Sequence, residues 1–207
     1  MSKTLYVKAS PREGRSHSIT VADAFLKAHA EARPDAEITT MNLFEAELPH
    51  LDWETIRGKY NIMHGREFTP EEKQSWQKVV DVIEDFKSYD RYVFAVPMWN
   101  FSLPYKLKHF IDVVTQPGYT FTVGPDGYQG LNTGKAFVAY ARGGEYPEGS
   151  ARAAYNFQST YFENWLRFIG LADFQTVAAE QTLASADVRD AGKRAAIAKA
   201  VEIAGTF

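Results

Sequence analysis

The order of strand-like and helix-like segments along the chain is the feature that most restricts its fold. Five short apolar segments without polar alternation predict strands, and longer segments with apolar residues at helical spacing follow them. The predicted strands cover residues 5–9, 37–43, 91–96, 136–141 and 174–178, and the predicted helices cover residues 18–32, 71–86, 105–114, 151–169 and 188–204. Strands of this kind are buried on both faces, so the pattern predicts an α/β fold with a doubly wound parallel sheet and helices on both faces.

The length and composition indicate one domain. A chain of 207 residues with 45% hydrophobic content can bury one sizeable core, and we expect a single domain over residues 1–207. Two segments, near residues 49–68 and 116–134, do not fit the alternation and are interpreted as excursions over the sheet edge. The second segment contains a Gly-Pro-Asp-Gly sequence at 124–127, which is a strong turn signal.

Charge and residue types exclude several classes of function. The formal net charge is −3 and no basic tract is present, so a nucleic acid is not expected as a partner. The chain has no cysteine, which excludes disulfides, thiolate metal sites and cysteine catalysis. The histidines are scattered without a His-x-x-x-His pair, so no metal site is expected. No apolar stretch approaches roughly 20 residues and the N-terminus lacks a signal-peptide pattern, so we expect a cytoplasmic protein that does not bind a membrane.

The loop after the first predicted strand places hydroxyl groups at the start of a helix. It runs from Ser10 to Ser18, includes Ser16 and His17, and lacks the Gly-x-Gly-x-x-Gly pattern. Hydroxyls, backbone N–H groups and the positive end of a helix dipole suit a phosphate monoester, whereas a pyrophosphate along the turn requires the glycines. The loop therefore favours a mononucleotide, although a serine at a helix start is also common as a plain N-cap.

The loop after the third predicted strand combines aromatic, thioether and amide side chains. Its residues are Pro97, Met98, Trp99, Asn100 and Phe101. Such a loop can lie flat against a heterocyclic ring and offer backbone groups and the Asn100 amide to the polar edge of that ring. A buried hydrophobic turn is the alternative, and it explains Trp99 and Phe101 but not the polar residue between them.

The loop after the fourth predicted strand contains Ala141, Arg142, Gly143 and Gly144. Paired glycines permit positive φ angles and close approach of the backbone to a ligand, although a simple turn uses the same residues. Ligands of an open parallel sheet bind beyond the carboxyl ends of the strands, where the winding direction reverses. All three loops fall at this edge of the predicted sheet, so we expect one binding site there.

These three loops, in this order and spacing, resemble those of the FMN-dependent NADH-azoreductase family of NADH:quinone oxidoreductases. The resemblance extends over nearly the whole chain, and the segment from Pro97 to Phe101 is its most specific part. It implies a flavodoxin-like fold with a five-stranded parallel sheet in the order 2-1-3-4-5, one FMN bound per subunit, and NADH or NADPH as a transient electron donor. The implied activity is NAD(P)H:quinone oxidoreduction with reductive cleavage of azo compounds to aromatic amines, by ping-pong hydride transfer through flavin N5.

The resemblance also implies which residues bind FMN. They are Ser10, Ser16, His17 and Ser18 for the phosphate, Pro97, Met98, Trp99, Asn100 and Phe101 for the ring, and Ala141, Arg142, Gly143 and Gly144 for the far edge of the ring. No catalytic side chain is expected, because the flavin carries the electrons while the protein supplies orientation and electrostatics.

Aromatic residues outside the three loops are candidates for a pocket that binds the electron acceptor. The family assembles as a homodimer with a flavin site at each end of the interface, so the resemblance implies that a neighbouring subunit contributes to this pocket. The candidates are Tyr60, Phe121, Tyr128, Tyr146 and Phe162. Core packing, or a dimer contact without acceptor contact, is the alternative for each of them.

Two other functions are compatible with the same fold. A flavodoxin-type electron-transfer protein would exchange electrons with a protein partner, but such proteins are usually strongly acidic, and a net charge of −3 steers a partner weakly. An interaction module that has lost its flavin is disfavoured by the intact phosphate and ring loops. We therefore expect an enzyme with a quinone or an azo compound as its small-molecule acceptor.

Overall fold

The computed structural model describes residues 2–207, and within that range it contains seven strands and six α-helices. The strands are β1 (Lys3–Lys8), β2 (Glu37–Asn42), β3 (Arg91–Pro97), β4 (Phe121–Gly124), β5 (Gly127–Gly130), β6 (Lys135–Ala141) and β7 (Asp173–Ala179). The helices are α1 (His17–Ala32), α2 (Trp53–Met63), α3 (Pro70–Lys87), α4 (Tyr105–Val114), α5 (Ser159–Ile169) and α6 (Ala186–Ala204).

Five strands form a parallel sheet in the order β2-β1-β3-β6-β7. In the internal strand β1, Val7 pairs with Met41 on one side and with Phe94 on the other. The winding direction reverses between β1 and β3, because the chain goes outward to β2 and then crosses back. The predicted five-stranded parallel sheet is confirmed. Its order along the chain is 2-1-3-6-7 instead of 2-1-3-4-5, because β4 and β5 precede β6 in the sequence and lie outside the sheet.

Helices cover both faces of the sheet. On one face, α3, α4 and α5 pack against Leu5, Val7 and Phe94. On the other face, α1 and α6 pack against Tyr6 and Val93. Successive residues of each central strand thus enter opposite cores, and both cores are apolar, which explains why the strands lack polar alternation.

The segment 49–68 contains a helix that the sequence analysis did not predict. The helix is α2, which begins after Asp52, whose Oδ1 accepts the N–H of Thr55 at 3.0 Å. It packs against α3, and Gly58 lies so close to the backbone of Glu72 that a Cβ atom would be 2.6 Å from the Glu72 carbonyl oxygen. The apolar pattern of α2 is weak because only Thr55 and Gly58 are buried.

The predicted helix over residues 151–169 is wrong for its first part, since α5 begins at Ser159. Residues 153–155 form a 3₁₀ turn, and Asn156 then accepts the Ser159 N–H through Oδ1 at 3.2 Å. Side chains that bond to nearby backbone groups compete with helical hydrogen bonds, which explains the late start. The end of α5 follows the expected pattern, with Gly170 in the left-handed region at a φ of 102°.

The segment 116–134 contains an antiparallel hairpin formed by β4 and β5. Phe121 pairs with Gly130, and the predicted turn at 124–127 joins the two strands. The hairpin packs on α5 through the ring of Phe168, 4.7 Å from the ring of Phe121. None of the helices within residues 2–207 combines the length and apolarity that a bilayer crossing requires.

Candidate active site

The three loops predicted from the sequence meet at the carboxyl ends of β1, β3 and β6. They enclose a pocket of about 240 Å³ together with the loop after β7, and the pocket lies where the winding direction reverses. Its lining residues are Ser10, Arg12, Ser16, His17, Pro97, Met98, Trp99, Ala141, Arg142, Gly143, Thr182 and Leu183. Four predicted residues are not in this lining: Ser18 is buried behind it, Asn100 lies at an exposed turn, and Phe101 and Gly144 line an adjoining pocket.

Three buried hydroxyl groups lie in the loop after β1 and at the start of α1. Ser10, Ser16 and Ser18 are 1%, 3% and 0% exposed, and the Oγ atoms of Ser16 and Ser18 are 3.2 Å apart. Ser16 is also the N-cap of α1, because its Oγ accepts the N–H of Ile19 at 3.5 Å. The first N–H groups of a helix have no partner within the helix, and the helix dipole adds positive charge there. This end of the pocket therefore suits an anion.

Cationic side chains surround the same end of the pocket. Burial is the main cause that lowers the pKa of His17, and Lys193, Arg12 and Arg189 lower it further, while Asp190 acts in the opposite direction. A neutral imidazole is therefore favoured at this position near pH 7. An anion bound beside it would reverse the effect and favour the protonated ring.

The loop after β3 is a tight turn in a strained conformation. Trp99 and Ser102 exchange two backbone N–H···O hydrogen bonds of 2.9 Å each. Between them, Asn100 and Phe101 have φ angles of 48° and 67°, two consecutive positive values as in a type I′ turn. Both side chains are exposed, so the alternative of a buried hydrophobic turn does not hold. A positive φ angle is unfavourable for residues other than glycine, and such residues are found mainly at functional sites.

The loop after β6 is held by Arg142. Its Nε donates to Glu180 Oε1 at 2.8 Å, and its guanidinium lies 5.5 Å from the ring centre of Tyr146. The Nη1 atom of Arg142 is buried and has no hydrogen-bond partner within residues 2–207. The salt bridge to Glu180 and the contact with Tyr146 fix the position of the Arg142 guanidinium at the edge of the pocket.

Comparisons with known proteins identify the family of the chain. A family described by its flavodoxin-like fold matches residues 2–203. The FMN-dependent NADH:quinone oxidoreductase of Nitratidesulfovibrio vulgaris is 45% identical over 196 residues, which cover 94% of each chain. The protein of the same name from Desulfotalea psychrophila is 43% identical and covers 99% of this chain and 97% of its own. This chain belongs to the FMN-dependent NADH:quinone oxidoreductase family.

Solved structures of azoreductases have the same fold as this family member. An azoreductase from Bacillus anthracis str. Sterne has a TM-score of 0.91 at 30% identity, covering 100% of both chains. An FMN-dependent NADH-azoreductase from Bacillus anthracis str. Ames Ancestor, in complex with FMN, has a TM-score of 0.88 at 26% identity and covers 99% of both chains. The predicted family is therefore confirmed.

The acceptor-pocket candidates of this family member do not lie together in a single chain. Tyr146 lines the adjoining pocket with Phe101 and Gly144. Phe121 and Tyr128 lie on the β4–β5 hairpin, and Tyr60 lies on α2 with 48% of its surface exposed. Their contact with an acceptor remains a prediction.

Phe162 does not line a pocket, contrary to the prediction. It is 0% exposed, and its ring packs against Phe94 and Trp165 at 5.1 and 5.2 Å. Phe168 occupies the opposite position on α5 and lies 5.3 Å from the ring of Tyr128. Phe162 and Phe168 are six positions apart, which is not a whole number of helical turns. Only one of the two side chains can therefore face the sheet.

Sequence reasoning missed three of the residues that line the pocket. Arg12 lies within a loop that was recognised, but its side chain was not assigned a role. Thr182 and Leu183 follow β7, the fifth strand of the sheet, at the same edge as the other loops. The rule that ligands bind beyond the carboxyl ends of parallel strands would have identified them.

Proposed function

We propose that this chain is an FMN-dependent NADH:quinone oxidoreductase that also reduces azo compounds. One observation carries the proposal: a single pocket at the winding reversal joins an anion-binding end, at the start of α1, to the loops after β3 and β6. The quinone oxidoreductases that are 45% and 43% identical support the quinone activity. The azoreductase of similar structure supports the second acceptor class.

The anion-binding end fits the phosphate of FMN. Ser10 and Ser16 offer hydroxyl donors, Ser18 lies behind Ser16, and His17 offers a ring whose protonated form the phosphate would stabilise. Hydroxyls and helix N–H groups bind a compact phosphate without a glycine-rich turn. The serines therefore anchor the cofactor, and a proton held on His17 balances part of the phosphate charge.

The two ring loops fit the isoalloxazine of FMN. The segments from Pro97 to Phe101 and from Ala141 to Gly144 supply apolar contact and backbone groups, and Arg142 adds a cationic side chain to the lining of the pocket. When bound, FMN supplies the chemistry that accepts a hydride from NADH or NADPH and passes electrons to the acceptor. The side chains bind and orient the cofactor, and none of them acts as a nucleophile.

We also propose that residues 1–207 act as one domain in a cytoplasmic homodimer, as the resemblance implies. Large apolar side chains on α2 and on the hairpin support the assembly, because Trp53 is 74% and Tyr128 is 71% exposed. A second subunit would cover such side chains and bring some of them to the acceptor. Analytical ultracentrifugation tests this, and a monomer at micromolar concentration would contradict it.

The central experiment is a spectroscopic titration of the purified protein reconstituted with FMN. NADH or NADPH added without oxygen should bleach the visible absorbance of the flavin, and benzoquinone should restore it. Failure to bind FMN would overturn the proposal. Binding without bleaching by either nicotinamide would instead favour the electron-transfer alternative.

The phosphate assignment is tested by comparing FMN with riboflavin, which lacks the phosphate. The Ser16→Ala variant should weaken FMN binding about tenfold and change riboflavin binding little, because the loss of the N-cap of α1 affects both ligands alike and only FMN carries the phosphate to which Ser16 would donate. Thr206→Ala, an exposed hydroxyl change near the end of α6, is the matched control. Equal weakening of both ligands by Ser16→Ala would place the phosphate elsewhere.

A further inference from the structure

A second pocket adjoins the proposed cofactor site and is mainly aromatic. It has a volume of about 250 Å³ and is lined by Phe101, Gly144, Glu145, Tyr146, Arg152 and Tyr155. We call it the aromatic pocket. Phe101 belongs to the loop after β3 and Gly144 to the loop after β6, and other residues of these two loops line the proposed cofactor site.

Three rings surround the aromatic pocket without filling it. The rings of Phe101 and Tyr155 are 5.4 Å apart and inclined by 42°, and the two residues are 50% and 55% exposed. The guanidinium of Arg142 lies against the ring of Tyr146, and Arg142 is itself fixed by a salt bridge to Glu180. Half-exposed rings at a concave surface can pack against a further planar ring.

The floor of the aromatic pocket is open at Gly144. A Cβ atom at this position would meet only Tyr146, at 3.9 Å, so the space above the backbone is not occupied by the protein. The open floor adjoins Gly143, which lies at the proposed flavin site. A planar group in the aromatic pocket would therefore lie beside the isoalloxazine.

One free cation borders the aromatic pocket within residues 2–207. Arg152 is exposed and forms no salt bridge with any residue in that range. The carboxylate of Glu145 also lines the pocket and accepts a hydrogen bond from the uncharged amide of Gln181, but it forms no salt bridge with Arg152 within that range. Arg152 is thus available to an anionic group of a ligand.

We propose that the aromatic pocket is a subsite for an acceptor ring that carries a carboxylate or sulfonate, and that Arg152 selects such acceptors. This inference rests on the proposed function. The pocket is smaller than the roughly 300–1,000 Å³ of sites that enclose a drug-sized ligand, so it holds one substituted ring while the reducible part lies at the flavin. The planar guanidinium can pair with two oxygens of such an anion.

The kinetic test compares an anionic quinone with its uncharged parent. In FMN-loaded Arg152→Gln, KM for naphthoquinone sulfonate should rise about five- to tenfold, whereas KM for naphthoquinone and kcat for both should stay within about twofold. The rate at which NADH bleaches the flavin should not change, because no acceptor takes part in that step. Arg194→Gln, which removes an exposed arginine of α6, is the matched control for net charge.

The binding test needs no turnover. Naphthalene sulfonate, a probe that cannot be reduced, should bind the FMN-loaded protein, and Arg152→Gln should weaken that binding by the same five- to tenfold factor. Tyr155→Leu should weaken naphthoquinone and its sulfonate equally, because it removes ring packing and keeps the charge.

Unchanged KM and unchanged probe binding in Arg152→Gln would overturn the inference. A wild-type protein that NADH and NADPH both fail to bleach would instead contradict the proposed function. The two failures are distinguishable, because probe binding is measured separately from the reaction with the nicotinamide.

Discussion

The side-chain amide of Gln158 donates to the carbonyl oxygen of Val96 at the end of β3, with an Nε2–O distance of 2.9 Å. The same nitrogen lies 3.4 Å from the carbonyl oxygen of Ala141, the last residue of β6. Gln158 is 0% exposed and precedes the first residue of α5. One buried side chain therefore joins the bases of the two loops proposed to hold the flavin ring.

Replacing Gln158 by Leu should loosen both loops. The Val96 carbonyl loses this donor, and the loss of one buried hydrogen bond costs about 0.5–1.5 kcal/mol of unfolding free energy. We expect a loss of that size in urea denaturation of the apoprotein and about a tenfold rise in the FMN dissociation constant, measured by flavin fluorescence. Gln77→Leu, an exposed change on α3, is the control. Wild-type affinity together with wild-type stability in Gln158→Leu would show that the contact has no positioning role.

The sheet and the three loops could be predicted because their signals are local. Strand hydrophobicity and helix spacing are read within a few residues, and the edge rule then places Ser16 and Arg142 together without a structure. Gln158 could not be predicted in this way. Its acceptors lie 62 and 17 residues away in the chain, and no local pattern indicates them.

Two further features left no usable signal in the sequence. The left-handed turn at Asn100 and Phe101 contains no glycine, which is the residue that marks such a conformation. The helix α2 buries few of its residues, so its hydrophobic period is weak. In both cases tertiary contacts determine a backbone conformation that the local sequence does not specify.

Two substitutions of Asn100, in the strained turn after β3, should differ in their effect on stability but not in their effect on FMN binding. Asn100→Gly should leave the unfolding free energy within a few tenths of a kcal/mol, because glycine and asparagine both tolerate a φ of 48°. Asn100→Ala should lower it by about 1 kcal/mol, because alanine does not. Both variants remove the amide and should weaken FMN binding.

Urea denaturation and flavin fluorescence measure these two quantities on the same samples. Equal stability of the alanine and glycine variants would show that the turn relaxes when Asn100 is replaced. Unchanged FMN affinity in both would remove the amide from the ring site.

A buried histidine should make the protein less stable in mild acid. His29 is 0% exposed, neither ring nitrogen has a hydrogen-bond partner within residues 2–207, and its ring packs against Phe25 and Phe207. Burial lowers the pKa of His29, and Arg91 and Arg33 lower it further. The unfolded chain takes up a proton as the pH falls below about 6.5, whereas the folded chain resists. Stability is therefore present above that pH and is lost below it, by at most about 1.4 kcal/mol per pH unit.

Urea denaturation of the wild type and of His29→Phe between pH 7.5 and 5 tests this prediction. The wild type should lose more stability over this range than the variant, in which the ring cannot take up a proton. His17 also has a lowered pKa, but it is present in both proteins, so the difference isolates His29. His64→Gln, a change at an exposed position, is the control. Parallel pH profiles of wild type and His29→Phe would exclude this cause.

Binding of FMN should be coupled to proton uptake at His17. Burial and neighbouring cations lower the pKa of this imidazole in the protein alone, and a phosphate placed beside it would raise that pKa. If His17 holds the proton only in the complex, FMN affinity must rise as the pH falls from 8 to 6.5, by at most about tenfold per unit.

The second ionisation of the phosphate, near pH 6, acts in the opposite direction and limits the pH range that can be used. Fluorescence titrations should therefore show a rise for wild type that His17→Gln lacks and that riboflavin does not show with either protein. The same pH dependence in wild type and His17→Gln would mean that the phosphate lies away from this ring.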